Sequence, residues 1–297
     1  MTQAGKTASG NREESLAEIR EMSGQDHREE SGEESGKESR EESGEESGEE
    51  SREETPEQLP TVIYEDADLV AAYKPEGWLV HRTNIDRHES RFLLQYLRDA
   101  TGTYLYPIHR LDKPTSGIIL FAKRSEVAAK AQALLESESS VKKYIAVCRG
   151  YCPPEGVIDY ALPPVNDFKH QRKRAKTDQP RQEAITLFRR LATIELPYTV
   201  DRYPSSRYSL VEIQLKTGRR HQIRRHFKHI SHPLIGCPKY GKSTHNRFFA
   251  EHLGCQRLLL HAIELQLPHP VTANTLTLRE VPRGDFATLL QNFGWEP

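Results

Sequence analysis

The segment IHRLDKPTSGIILFA, residues 108–122, joins a polar loop to a strand and decides how the rest of the chain is interpreted. Its last five residues are apolar and predict a buried strand. The loop before them sets one carboxylate, Asp112, among cations and turn-forming residues. Neighbouring cations would keep Asp112 ionised, and exclusion of water would make it more nucleophilic. The segment therefore predicts a reactive carboxylate on a firmly held loop, with a simple turn-capping aspartate as the alternative.

The elements around this segment mix strands and helices without a regular alternation. The sequence predicts helices at 89–100 and 125–137. It predicts further strands at 61–64, 69–73, 143–149, 183–191, 208–216 and 258–267. Because a doubly wound fold needs repeated strand–helix–strand units, this order favours an α+β domain with an antiparallel sheet.

The near-neutral net charge of the whole chain is the sum of two oppositely charged segments. Residues 1–59 carry 19 acidic and 7 basic side chains, for a net charge of −12. Residues 60–297 carry 35 basic and 24 acidic side chains, for a net charge of +11. Such a basic surplus is expected to meet a polyanion, and ordinary solubilising charge is the alternative.

The N-terminal segment has no means of forming a core. Between residues 23 and 58 there is no Ala, Val, Ile, Leu, Met, Phe, Trp, Tyr or Cys. A chain that buries no apolar surface cannot offset the entropy of ordering. We therefore expect a disordered acidic tail at 1–59 and one catalytic domain at 60–297. The tail is either an intramolecular competitor for the basic surface or a passive extension.

Two basic segments point to phosphate contact. Residues 213–250 contain no acidic side chain, so their cations cannot be a salt-bridged surface. Arginine suits phosphate because its guanidinium donates two parallel hydrogen bonds, and this predicts contacts with a phosphate backbone by Arg219, Arg220 and Arg225. A second basic block in a polar insertion adds Lys173 and Arg174, which would position a backbone without reading its sequence.

Other classes of protein are disfavoured. The longest apolar runs have five residues, far short of the roughly 20 needed to cross a bilayer. Four cysteines without C-x-x-C spacing and a chain without an export signal predict reduced thiols and a cytoplasmic location. The histidines between 221 and 232 match no common zinc pattern, so no metal is expected there.

Four ordered segments resemble the signatures of the RluA-type pseudouridine synthases. They are residues 109–117, the pair Lys143-Tyr144, residues 217–226 and residues 260–262. The resemblance covers about 62–270. It implies a mixed, mainly antiparallel sheet with flanking helices and a central RNA cleft. It also implies an enzyme that isomerises uridine to pseudouridine and needs no cofactor. Neither membrane association nor an obligate protein partner is expected. Three further stretches favour a tRNA substrate, at position 65: 77–82, 202–233 and 293–295.

The resemblance also implies roles for individual residues. Asp112 matches the family's catalytic aspartate, and Arg110 matches an arginine that helps to extrude the target nucleotide. Tyr144 matches an aromatic residue that stacks on the target base, and Arg224 matches the arginine that pairs with the aspartate. His109 is assigned to the same substrate site. A base inside a helix must be flipped, stacked and held before it can react, which gives each role a physical reason.

The chain departs from the family pattern at one position near the site. Cys237 follows Gly236 where the family usually has aspartate. The acidic tail also has no counterpart in that pattern. A synthase acting on ribosomal RNA and a non-catalytic RNA-binding protein stay open as alternatives. Whether Asp112 attacks C1′ of the sugar or C6 of the base also stays open.

Overall fold

The computed structural model describes residues 58–81, 89–165 and 180–296. The predicted acidic tail and the basic block with Lys173 and Arg174 lie outside these ranges, apart from the last residues of the tail. The described part of the chain contains ten strands and five helices. The strands are β1 (Thr61–Glu65), β2 (Leu69–Lys74), β3 (Tyr106–Pro107), β4 (Ser116–Ala122), β5 (Val141–Arg149), β6 (Glu155–Asp159), β7 (Ile185–Leu196), β8 (Ser206–Leu215), β9 (Leu260–Pro268) and β10 (Thr275–Arg279). The helices are α1 (Leu93–Thr101), α2 (Ser125–Glu136), α3 (Gln222–His229), α4 (Ser243–His252) and α5 (Asp285–Asn292).

All ten strands belong to one sheet. Its order is β1-β2-β4-β9-β5-β8-β7-β6, with β10 paired to β9 and β3 paired to β4. Each of these pairs is antiparallel except β4 with β9, which is parallel. The mixed, mainly antiparallel sheet with flanking helices confirms the expected α+β class.

The parallel pair forms a seam at the centre of the sheet. There Ser116 lies opposite His261, and Gly117 lies opposite Ala262. Gly117 has a φ of +117°, and a Cβ at this position would lie 2.4 Å from the carbonyl oxygen of Ala262. Only glycine therefore permits this approach of two backbones. The loop that carries Asp112 enters the sheet at this point.

The alternating side chains of β4 bury both faces of the sheet. Ile119 and Phe121 pack on one face with Leu93 and Leu97 of α1. Leu120 packs on the other face in the cluster that α2 contributes to. A strand buried on both faces reads as a continuous apolar run, which explains why the sequence predicted it.

Several elements differ from the sequence-based expectation. Helix α1 begins at Leu93 rather than at residue 89, and β7 continues through an irregularity near Arg190 to Leu196. Helices α3, α4 and α5 and strands β3, β6 and β10 were not predicted. The buried face of α3 includes Gln222, Arg224 and His226, so it lacks the apolar spacing that reveals a helix.

Two further expectations concern membrane spans and cysteines. Among the helices in the described ranges, none is long and apolar enough to cross a bilayer. All four cysteines are buried and free of disulfides, in agreement with the prediction of reduced thiols.

Candidate active site

A cavity of about 690 Å³ opens between the loop before β4, the strand β5 and the start of α3. It collects most of the side chains that the sequence singled out. Those that line it are His109, Arg110, Asp112, Tyr144, Arg219, Arg220 and Arg224. A second cavity of about 160 Å³ shares Arg110, Asp112 and Arg220 with the first. The structure therefore places Asp112 where two cavities meet.

Asp112 is held through one of its two carboxylate oxygens. Arg224 Nη1 donates a hydrogen bond of 2.9 Å to Oδ2, and His221 Nε2 lies 3.8 Å from the same oxygen. Among the residues that the structure describes, no hydrogen bond to Oδ1 is found. The side chain of Arg224 is 5% exposed and that of Asp112 is 18% exposed. Asp112 is therefore paired with a cation while its second oxygen is left for chemistry.

Arg224 is itself fixed by a second contact. Its Nε donates to the Sγ of Cys237, at 3.3 Å, and its guanidinium lies 5.4 Å from the ring centre of Tyr240. Burial opposes the charged form of Arg224, but the contacts with Cys237 and Asp112 outweigh it and raise its pKa. The position at which the chain departs from the family pattern thus touches the partner of Asp112.

His221 is a site residue that sequence reasoning missed. It precedes α3 with a φ of +55°, and its Nδ1 forms a hydrogen bond of 3.1 Å with the hydroxyl of Tyr240. Burial lowers its pKa to about 4, although Asp112 opposes this shift. The imidazole is therefore neutral at pH 7 and adds no charge beside Asp112. Its place between two pairs of arginines in the acid-free segment was the available signal, but the sequence analysis considered this histidine only as a metal ligand.

Tyr144 reaches the cavity from the central strand β5. Its backbone pairs with Ala262 of β9, the residue that Gly117 also approaches. An irregularity in the pairing falls between Lys143 and Tyr144. Burial and the nearby charge of Asp112 both raise the pKa of Tyr144, so the phenol stays protonated. The register of three strands thus sets Tyr144 and the Asp112 loop on the same cavity.

His109 holds the loop against β4. Its Nε2 accepts a hydrogen bond of 3.1 Å from the backbone N–H of Leu120. Burial and the charge of Lys142 lower the pKa of His109 to about 4, which keeps that nitrogen free to accept. One of its two ring nitrogens is therefore occupied by the protein itself.

The basic residues lie at different depths. Arg110 and Arg219 are exposed, and Arg219 Nε donates to the carbonyl of Glu183 at 3.0 Å. Arg225 is half-buried on α3, and its Nη2 donates to the carbonyl of Pro163 at 2.8 Å. Arg220 lines both cavities. Arg110, Arg219 and Arg220 give the cavity a positively charged rim, whereas Arg225 is not among the residues that line it.

A comparison with known protein families shows the family to which the chain belongs. A family model described as RNA pseudouridylate synthase matches residues 68–229, more than half of the chain. The matched range contains Asp112, Tyr144 and Arg224. The chain therefore belongs to the RNA pseudouridylate synthase family, as its sequence motifs suggested.

Individual relatives carry a more specific name. The chain is 47% identical over 235 residues to the tRNA pseudouridine synthase C of Pectobacterium carotovorum subsp. carotovorum, across 79% of this chain and 62% of that relative. It is 43% identical over 235 residues to the tRNA pseudouridine synthase C of Vibrio cholerae, across 79% of this chain and 96% of that relative.

Solved structures support the fold. Human RNA pseudouridylate synthase domain containing 1 superposes with a TM-score of 0.59 at 20% identity, over 77% of this chain and 86% of that chain. Human RNA pseudouridylate synthase domain containing 4 superposes with a TM-score of 0.58 at 24% identity, over 80% of this chain and 94% of that chain.

Proposed function

We propose that this protein isomerises uridine to pseudouridine in tRNA, with Asp112 as the nucleophile. The observation that carries the proposal is the pairing of Asp112 Oδ2 with the buried Arg224 at 2.9 Å, on the wall of a cavity large enough for a nucleotide. A fixed guanidinium keeps the carboxylate ionised and oriented without consuming its second oxygen.

The reaction exchanges one bond of the nucleotide for another. The N1–C1′ bond of uridine breaks, the base turns, and a C5–C1′ bond forms. The C5 proton leaves and N1 gains a proton, so the product is an isomer of the substrate. Asp112 would form a transient covalent bond with the nucleotide, at C1′ or at C6, and be released at the end. No metal or organic cofactor is needed to balance these steps.

The remaining residues would prepare the nucleotide for attack. The target base must leave its helix, at a cost of a few kcal/mol. The exposed Arg110 would occupy the space it vacates, and the ring of Tyr144 would stack on the extruded base. His109 would support this substrate site by holding the loop against β4. Arg219, Arg220 and Arg225 would contact phosphates, with Lys173 and Arg174 as further contacts.

The proposal of tRNA rests on the relatives, and position 65 rests on the resemblance of 77–82, 202–233 and 293–295. The basic rim of the cavity supports RNA binding in general, because it neutralises phosphates without reading bases. A tRNA substrate supports a cytoplasmic location. A ribosomal RNA substrate would use the same cavity, so substrate choice is left to experiment.

The test replaces Asp112 and maps the product. Wild-type protein, Asp112→Asn and the control Asp99→Asn would be incubated with tRNA transcripts carrying uridine or cytidine at position 65. Asp99 is an exposed residue of α1 whose carboxylate accepts a hydrogen bond from Gln95, so its loss should not affect turnover.

We expect Asp112→Asn to lower turnover by at least about 10⁴-fold while tRNA binding changes only a few-fold. Product should map to position 65 and be absent from the cytidine transcript. Substantial turnover by Asp112→Asn would refute the assigned nucleophile. Modification of ribosomal RNA fragments alone would move the substrate assignment, and binding without turnover by the wild type would favour a non-catalytic protein.

A further inference from the structure

Three potential metal ligands meet outside the candidate active site. The Sγ atoms of Cys148 and Cys152 and one ring nitrogen of His232 all lie within 4.8 Å of one another. Both cysteines are fully buried and His232 is half-buried. None of the three lines the cavity that contains Asp112. Within the described ranges, this is the single group of this kind.

The backbone between the two cysteines is firmly folded. Cys148 lies near the end of β5, and Gly150 turns the chain with a φ of +82°. The backbone N–H of Cys152 donates to Ser209 Oγ at 3.0 Å, and this hydroxyl donates to the carbonyl of Gly150 at 2.8 Å. The left-handed conformation of Gly150 and these two hydrogen bonds hold the turn that places the thiol of Cys152 near that of Cys148.

His232 is oriented by a contact of its own. It follows α3, and its Nδ1 donates to the carbonyl of Arg149 at 2.9 Å. A backbone carbonyl that receives one ring N–H fixes the tautomer and leaves the lone pair on Nε2, an arrangement typical of metal-binding histidines. The ring also packs closely on the turn, because a Cβ at Gly150 would lie 3.2 Å from Nδ1.

We propose that Cys148, Cys152 and His232 bind one Zn²⁺ ion. Thiolate and imidazole are the ligands that zinc prefers, and this set matches its usual number of protein ligands when one position is open. Ligand atoms about 2.3 Å from a tetrahedral ion are about 3.8 Å apart, so closure needs shifts of about 1 Å or less. A water molecule would take the fourth position.

The charges at the site balance on binding. Two thiols release two protons and become thiolates, and with Zn²⁺ they form a neutral group suited to a buried position. Arg190 lies beside this group, and its Nη1 donates a hydrogen bond of 2.5 Å to the carbonyl of Cys152. Its guanidinium is thereby held on a carbonyl rather than left free to compete with the metal.

The three ligands join elements that carry site residues. Cys148 follows Tyr144 on β5, and His232 follows the helix that carries Arg224. Bound zinc would therefore tie the strand to the end of that helix and stabilise the domain. The sequence-based expectation of no metal considered the histidines alone, whereas the fold brings His232 beside Cys148 and Cys152.

The test uses full-length protein that has been reduced and freed of metal. Co²⁺ is titrated first because thiolate coordination gives it an intense charge-transfer band, and Zn²⁺ is then used to displace it. We expect one ion per chain and a rise in melting temperature on zinc binding. Cys148→Ser, Cys152→Ser and His232→Gln should each weaken binding by at least about tenfold.

Matched controls separate this site from other contacts. Cys255→Ser removes a buried thiol elsewhere in the domain, and His252→Gln removes an exposed imidazole. Both should bind Zn²⁺ like the wild type. Unchanged affinity in the three ligand variants, with circular dichroism showing that they are folded, would overturn the proposal. So would a Co²⁺ complex without the thiolate band, or a reduced protein that binds no zinc and forms a Cys148–Cys152 disulfide in air.

Discussion

Asp112 and Arg224 meet at one hydrogen bond, but different kinds of contact hold the two sides of that bond. The Asp112 loop, residues 109–117, is fixed mainly through backbone atoms. The carbonyl of Lys113 accepts hydrogen bonds of 3.0 Å from Lys74 Nζ and from the N–H of Gly77. At its end, Gly117 approaches the backbone of β9. The loop is thus held by features that leave its outward side chains free for substrate.

Helix α3 is fixed mainly through side chains. Gln222 Nε2 donates to Thr186 Oγ1 at 2.9 Å, and His226 Nδ1 forms a hydrogen bond of 3.0 Å with the same hydroxyl. His226 Nε2 donates to the carbonyl of Tyr160 at 3.0 Å. Together with the contact between Arg224 and Cys237, these bonds place the helix. Because separate side-chain contacts hold α3, a substitution at one of them should displace the helix only near that contact. A substitution behind the Asp112 loop should displace the loop as a whole.

The largest effect is expected at the meeting point itself. Arg224→Met keeps the length of the side chain but removes the hydrogen bond to Asp112. Losing one preorganised charge partner at a reacting group costs about 10²- to 10³-fold, and we expect kcat to fall by this factor while KM changes little. Steady-state kinetics on tRNA transcripts measure the split between the two constants.

Arg225→Met is the matched control for this change. Arg225 lies on the same helix, but its guanidinium bonds to the carbonyl of Pro163 rather than to Asp112. If it contacts phosphate, Arg225→Met should raise KM and leave kcat unchanged. A fall in affinity without a fall in kcat for Arg224→Met would show that Arg224 is a phosphate contact too, and the assigned pairing role would be wrong.

A smaller loss is expected when the loop is loosened from behind. Lys74 is completely buried, and its Nζ also donates to the carbonyls of Pro75 and Trp78, at 2.9 and 2.8 Å. Lys74→Met removes these bonds and one of the two hydrogen bonds to the carbonyl of Lys113, beside Asp112. Because a shift of about 1 Å can cost about 10²-fold, we expect kcat to fall by roughly that factor.

Lys123→Met is the control for the loop. Lys123 also bonds to a backbone carbonyl, that of Asp66 at 2.6 Å, but it lies at the far end of β4. Lys123→Met should therefore keep full activity. Equal losses of activity in the two variants would mean that Lys74 acts through overall stability and not through the Asp112 loop.

The difference between the two sides also explains what the sequence revealed. The Asp112 loop is contiguous with an apolar strand, so residues 108–122 display turn, carboxylate and buried strand in order. Asp112 was therefore singled out from the local sequence, whereas Arg110 and Tyr144 were assigned through the family resemblance; all three line the cavity. Local order of this kind is visible because backbone contacts follow the chain.

The helix side was harder to predict because its contacts are distant in sequence. Thr186 and Gln222 are 36 residues apart, and Tyr160 and His226 are 66 residues apart. Nothing in the local pattern around Cys237 shows that it would touch Arg224. The sequence showed only that the usual acid was missing there, and that its role must be met in another way.

A modest effect is expected from Cys237 itself. Cys237→Ala removes the acceptor of Arg224 Nε, and the buried N–H is left without its partner. The loss should equal that of an ordinary hydrogen bond, about two- to tenfold in kcat. Cys255→Ala is the control, and Cys237→Asp should retain activity because a carboxylate accepts the same bond. Full activity in Cys237→Ala would show that Asp112 alone orients Arg224.

The smallest effect appears only in acid and concerns the seam behind the Asp112 loop. His261 is fully buried, its Nδ1 accepts from the hydroxyl of Ser116 at 2.8 Å, and Arg257 Nη2 donates to that hydroxyl at 2.6 Å. The hydroxyl of Ser116 already accepts from Arg257 and points its hydrogen at Nδ1. A protonated Nδ1 would face this hydrogen, so the neutral ring is favoured. Burial, with a further contribution from Arg257, lowers the pKa of His261 to about 3.

The sign of the pH dependence follows from this lowered pKa. Below pH 6.5 the unfolded chain binds a proton that the folded protein does not take up until about pH 3, so acid favours unfolding. At pH 5 the cost is about 2 kcal/mol in the free energy of unfolding. His261 Nε2 also donates to the carbonyl of Glu280, at 3.3 Å. A glutamine can accept from Ser116 and donate to Glu280, but it cannot titrate. We therefore expect urea unfolding to show a loss of stability between pH 7 and pH 5 that is about 2 kcal/mol smaller in His261→Gln than in the wild type.

The control is His252→Gln, which replaces an exposed histidine on α4 and should follow the wild type. If His261→Gln loses as much stability in acid as the wild type, the seam is not the acid-sensitive part of the loop's support, and the histidines on the helix side become the better explanation.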